Sequence, residues 1–202
     1  MHRMLLITDC SSTIIADILR HCQSDPTFVI AYYYFDFSDT LKQSSDSLVR
    51  SLITQLSSQS PSCPEALKSL YSVNLNGQRQ PTTEDLMVTL KCIFGSFQHV
   101  YVIMDALDEC RDREQLLPLI EEISEWKLGN LHMLATSRQE RDIEECVGPL
   151  VSSQINLQSV QVNADIHTHL QERLQNDAKL KKWPAKIHGQ IEAALMDGAH
   201  GM

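Results

Sequence analysis

Glycine is scarce in this 202-residue chain: seven in all, and none before Gly77. Lysine also comes late, the first being Lys42. The first 76 residues therefore hold no GxxxxGK[ST] stretch, in which glycines let backbone N–H groups wrap phosphates and lysine reaches the β and γ positions. Six cysteines stand apart at 10, 22, 63, 92, 110 and 146, none in a CxxC pair. That spacing argues against a zinc or thioredoxin-type motif and suits reduced thiols in a cytoplasmic protein. There is no GxSxG and no HExxH, so the common hydrolase and metalloprotease signatures are missing. No apolar run approaches the length of a transmembrane helix. Met1 to Ile7 is too short for a secretory leader, and Asp9 and Asp17 interrupt the stretch after it. Lys and Arg number 17 against 26 Asp and Glu, for a net charge of −9. This interspersed acidic balance disfavours nucleic acid or an anionic membrane as a partner. His167 and His169 form an HxH, but on a helix the two face apart, as a solvated pair rather than a metal site.

What is present is a core and one pointed motif. The hydrophobic content of 43% supports one domain with a real core. Val100-Tyr101-Val102-Ile103-Met104 runs straight into Asp105-Ala106-Leu107-Asp108-Glu109-Cys110. A short, fully apolar run reads as a strand buried on both faces, as in a parallel α/β sheet. Asp105 then falls at its carboxyl end, where open α/β sheets bind ligands. A carboxylate there suits Mg²⁺ held through waters, and Asp108 and Glu109 add carboxylates able to polarise water. The plainer reading is a core strand followed by an acidic helix start, where carboxylates suit the dipole.

Periodicity places the other elements. Helical spacing appears over Thr13 to Cys22, Ser47 to Leu56, Glu65 to Leu75, Thr83 to about Phe97, Glu114 to Trp126, Val162 to Leu174 and Ala185 to Met196. Strand character appears over Phe28 to Phe37, Leu131 to Ala135 and Gln154 to Leu157. Thr82 or Thr83 caps its helix, with Glu84 and Asp85 in the first turn. Gln59 to Pro64 is a loop. Met4 to Ile7 fits either a strand or an extension of the following helix. Strands alternating with helices point to a parallel sheet flanked on both faces.

The extended acidic motif resembles the NACHT branch of the STAND P-loop NTPases, and within it the nephrocystin-3-like N-terminal domains common in fungal proteins. A second segment carries the same resemblance: Leu131 to Ala135 ends in Thr136-Ser137-Arg138, like the triplet that closes the family's fourth strand. The resemblance implies a P-loop NTPase-like α/β fold over residues 1–158, incomplete at its N-terminus, and the truncated start of a helical subdomain over 159–202. It implies Asp105 as the Mg²⁺ residue, Asp108 and Glu109 as the catalytic carboxylates, and Arg138 as the sensor of the terminal phosphate. The planar, always-charged guanidinium suits that role. Taken alone, Arg138 reads equally as a strand-end cap or a partner of Glu140.

The family's phosphate loop is where this chain departs. With Ser11 to Leu19 set on the helix after the loop, the loop falls over Arg3 to Thr8. Only Thr8 then matches, at the Mg²⁺-side hydroxyl, and Ile7 stands where lysine belongs. Each charge-assisted hydrogen bond contributes roughly 1.5–3 kcal/mol, so losing the lysine and one backbone contact removes ~3–6 kcal/mol. That corresponds to a factor on the order of 10² to 10⁴ in affinity. The expectation is a nucleotide-binding switch module, for ATP or GTP with Mg²⁺, that is weak or inactive in hydrolysis. The alternative is a non-catalytic interaction module, or a fragment derived from a STAND signalling protein. Other NACHT domains are the implied partners, and the ankyrin or WD40 repeats of longer relatives are not in this sequence.

Overall fold

The computed structural model describes residues 3–7, 11–23, 25, 27–59, 64–155 and 160–199. Four expectations fall wholly or partly outside them: Thr8, the 60–63 part of the loop, the end of the 154–157 strand, and residues 159 and 200–202 of the helical subdomain. The chain forms two compact units, Met1–Ile155 and Asn156–Met202. Among the described residues, no helix is long and apolar enough to cross a membrane.

The first unit is built in the order β1 (Arg3–Ile7), α1 (Ser11–Cys22), β2 (Phe28–Tyr34), α2 (Ser45–Ser57), α3 (Pro64–Val73) and α4 (Thr83–Phe94). It continues with β3 (His99–Asp105), α5 (Arg113–Glu125), β4 (Leu131–Thr136), α6 (Arg141–Val147) and β5 (Ser153–Ile155). The strands form one sheet in the order β2-β3-β4-β1-β5. Every pairing is parallel. Each strand alternates sides, so its residues divide between two faces. Val29, Ala31 and Tyr33, Val100, Val102 and Met104, and Leu131, Met133 and Ala135 share one face. They join one core with Leu48, Leu52 and Leu56 of α2, Leu90 and Phe94 of α4, Leu116 and Ile120 of α5, and Ile143 and Val147 of α6. Each Val, Leu, Ile, Met or Phe side chain among them, fully buried, contributes ~1.5–3 kcal/mol.

The other face carries Phe28, His99, Tyr101 and His132, whose rings lie in a row. Phe28 meets His99 at 4.5 Å and Tyr101 stacks on His132 at 4.8 Å. His99 Nδ1 and His132 Nε2 lie 3.0 Å apart, within hydrogen-bonding distance. Helix α1 lies on this side: His21 packs 5.5 Å from Phe28 and Ile15 is buried. A cavity of about 290 Å³ opens there, lined by Ile18, Tyr101, Ile103, His132, Leu134 and Ser153 among others.

Several boundaries differ from the sequence reading. Met4–Ile7, open between two readings, is strand: Met4 is buried, and its carbonyl accepts the Ser152 N–H at 2.9 Å. This corrects the placement of a phosphate loop over Arg3 to Thr8, because residues 3–7 are spent on pairing with β4 and β5. Strand β2 stops at Tyr34 rather than Phe37. The Asp36 carboxylate accepts the Ser38 N–H and hydroxyl at 2.9 and 2.6 Å, which turns the chain. Helix α4 ends at Phe94, and its start is a full capping box between Thr82 and Asp85. Helix α6 was not expected. It is seven residues long with only Ile143 and Val147 buried, a single i, i+4 pair that is too short to register as a period.

In the second unit are α7 (Val160–Asn176) and α8 (Ala185–Ala199). His167 Nε2 of α7 meets Glu192 Oε1 of α8 at 2.5 Å, while His169 is exposed.

Candidate functional site

The carboxyl ends of β2, β3 and β4 converge on the acidic segment after β3. Asp105 ends that strand and is half-buried. Its carboxylate accepts a hydrogen bond from the hydroxyl of Thr136, the last residue of β4. The same Thr136 oxygen accepts the Ala106 N–H at 2.9 Å. Ala106 adopts a left-handed conformation, φ 57° and ψ 55°, and opens a short 3₁₀ turn over Leu107–Glu109. Leu107, fully buried, anchors that turn in the core.

The turn aims its two carboxylates at different neighbours. Asp108 Oδ1 accepts the Arg138 N–H at 3.1 Å and faces the Ser137 hydroxyl at 3.5 Å. Asp108 Oδ2 lies 3.6 Å from Arg138 Nε. The Asp108 side chain is only 10% exposed and that of Arg138 is 75% exposed, so the ion pair itself contributes little. Glu140 pairs instead with Arg113, at 3.8 Å. Glu109 Oε2 accepts the Phe37 N–H at 3.0 Å, tying the loop after β2 to the same turn.

Behind it, Gln43 is buried and donates through Nε2 to the carbonyls of Asp36, at 3.1 Å, and Phe37. The Gln43 carbonyl accepts the Arg111 N–H at 3.0 Å and lies 3.2 Å from Cys110 Sγ. Asp112 accepts the Ser45 N–H and hydroxyl at the start of α2. Burial, and then the hydrogen bond to Asp112, push the Cys110 thiol up to about 12. Burial first, and then the nearby Asp105 charge, raise the Tyr34 phenol.

Asp105, Asp108, Glu109 and Arg138 are thus brought together at one end of the sheet. Thr8 lies outside the described residues. Thr136, Gln43 and Phe37 were not assigned to the site from the sequence. Thr136 was visible only as the first letter of the Thr-Ser-Arg triplet, and the other two carried no local signal. Among the described residues, no three His, Cys, Asp or Glu side chains converge as metal ligands. A single carboxylate such as Asp105 is nonetheless the usual protein share of a Mg²⁺ site completed by water and phosphate.

A sequence profile described as "Nephrocystin 3, N-terminal" matches residues 9–138, which include the acidic turn and Arg138. The chain belongs to the nephrocystin-3 N-terminal family. It is also 25% identical over 189 residues to the vegetative incompatibility protein HET-E-1 of Podospora anserina. That match covers 89% of this chain but 14% of the relative, so the chain spans about one seventh of that protein's length. More distant likenesses are solved structures of Drosophila ORC. One, bound to DNA, has a TM-score of 0.41 at 12% identity, covering 77% of this chain and 79% of that one. Another, bound to AT-rich DNA and Cdc6, has a TM-score of 0.46 at 9% identity, covering 98% and 76%. The nephrocystin-3 and NACHT relationship therefore rests on the family match and the HET-E-1 identity, and the parallel α/β sheet agrees with it.

Proposed function

We propose that this chain is a NACHT-type module that keeps the Mg²⁺ and phosphate-sensing side of a nucleotide site and does not turn nucleotide over. Asp105 is the residue that would hold Mg²⁺, and Arg138 is the contact for a terminal phosphate. A bound Mg²⁺ would supply charge neutralisation to the phosphates.

One observation carries the absence of turnover. Asp108 and Glu109, expected to polarise water, each accept a backbone N–H of another loop. Both are braces for the strand ends. The segment where a phosphate loop belongs lacks the residue types that wrap a triphosphate. Three residues, Thr8-Asp9-Cys10, join β1 to α1, without glycine or lysine. Residues 159–202 would belong to a helical subdomain, and a second NACHT domain is the partner that the family relationship favours.

Calorimetry with Mg²⁺ and ATP, and again with GTP, tests this together with a phosphate-release assay. The expected result is no release and an affinity of millimolar or weaker. Micromolar binding that Asp105→Ala abolishes, or measurable release that Glu109→Gln abolishes, would overturn it.

A further inference from the structure

Strand β2 is an edge of the sheet. Its sequence, Phe-Val-Ile-Ala-Tyr-Tyr-Tyr, is aromatic and β-branched, with no charge, proline or glycine. Such a segment on an open edge is the kind that pairs with an identical copy of itself. The outward-facing backbone groups of Ile30 and Tyr32 on this edge are not left open. Gln55 Oε1 accepts the Tyr32 N–H at 3.1 Å and Gln55 Nε2 donates to the Tyr32 carbonyl at 2.7 Å. Gln59 does the same to Ile30, at 3.3 and 2.8 Å.

Each side-chain amide thus reproduces the donor and acceptor that a neighbouring strand would present. The spacing fits: Gln55 lies in the last turns of α2 and Gln59 one residue past its C-cap Ser58, and four residues at helical rise advance about 6 Å against about 6.6 Å for two along a strand. Both amides are held in place. Gln55 Nε2 also donates to Ser51 Oγ at 3.0 Å, and Gln59 Nε2 to the Gln55 carbonyl at 3.0 Å. Burial of Leu52, Ile53 and Leu56 fixes α2 alongside the sheet.

We infer that Gln55 and Gln59 act as a surrogate strand, closing the sheet at β2 against the β2 edge of a second copy of this chain. Removing them would expose the paired groups of Ile30 and Tyr32, and two copies would add edge to edge across a two-fold axis, running antiparallel.

Amide hydrogen exchange on the unmodified protein is the first test. The Ile30 and Tyr32 amides should exchange about tenfold more slowly than the Tyr34 amide on the same edge, which has no glutamine opposite it. Equal rates would overturn the inference without any variant. The second test is Gln55→Met with Gln59→Met, which keeps side-chain length and helix preference but removes the amides. Ile30 and Tyr32 should then lose protection about tenfold, and light scattering should show concentration-dependent dimers or larger species. Adding Tyr34→Lys, a charge on the opened edge, should restore the monomer. A double variant that stays monomeric with unchanged exchange, or an association that Tyr34→Lys leaves intact, would overturn it.

Discussion

Thr136 bonds to Asp105 across the ends of β4 and β3. Its hydroxyl donates to the Asp105 carboxylate and accepts the Ala106 N–H, so one buried side chain sets both the carboxylate's orientation and the turn after it. Thr136→Val keeps the shape and removes both bonds. It should destabilise the protein by about 1–3 kcal/mol, since a buried N–H and a carboxylate lose their partner. Thr136→Ser should recover most of that loss. Urea unfolding of the two variants is the check, and equal stabilities would mean that the hydroxyl contributes nothing.

Ala106 sits at φ 57°, a conformation that costs an L-residue roughly 1–2 kcal/mol. Glycine avoids that cost but loses more entropy on folding. Ala106→Gly should therefore be neutral to about 1 kcal/mol stabilising. Ala106→Val, branched at Cβ, should be clearly destabilising. Thermal unfolding of both variants measures the difference, and a destabilised glycine variant would contradict it.

Asp108 braces the loop after β4 through backbone bonds more than through its ion pair. Asp108→Ala should cost about 1–2 kcal/mol, because the Arg138 N–H loses its acceptor. Arg138→Ala should lie within ~1 kcal/mol of the parent, since its side chain is mostly solvent-exposed. Denaturant titrations that rank the two the other way round would show the ion pair to be dominant.

The Cys110 thiol, pushed from the ordinary 9.0 to about 12 by burial and by Asp112, stays protonated in the folded chain at any physiological pH. Alkylation at pH 8 should label exposed Cys92 and spare Cys110 until the protein unfolds. Cys146, raised to about 12 by burial and by Glu121, should share that resistance. The folded state favours the neutral thiols. Their contribution to stability is thus fully present below about pH 9 and is lost as pH rises towards 12. Unfolding free energy measured between pH 8 and 11 should fall with increasing pH, and the fall should shrink in Cys110→Ala.

Residues close together in the sequence wrote their own structure. The apolar run Val100 to Met104 is a strand buried at every position but Tyr101, which is half-buried, because the run carries no charge or strongly polar group, and Asp105 comes next as the first charged residue after it. The Thr82–Asp85 capping box and the buried stripe Leu48, Leu52 and Leu56 are equally local, set by helix geometry over one to three turns. Position in the sheet had to come from tertiary structure. Met4–Ile7 is too short to declare its own state and becomes strand because it is paired on both sides. The Glu109–Phe37 bond spans 72 residues, and the Gln59–Ile30 pair spans 29. Nothing in either neighbourhood announces them, because a side chain's choice of a distant backbone partner exists only once the strand order has set which ends meet. The sequence by itself therefore determined the family, the α/β alternation and the acidic turn. Tertiary structure alone decided that the turn's carboxylates hold the strand ends together and that two glutamines close the edge of the sheet.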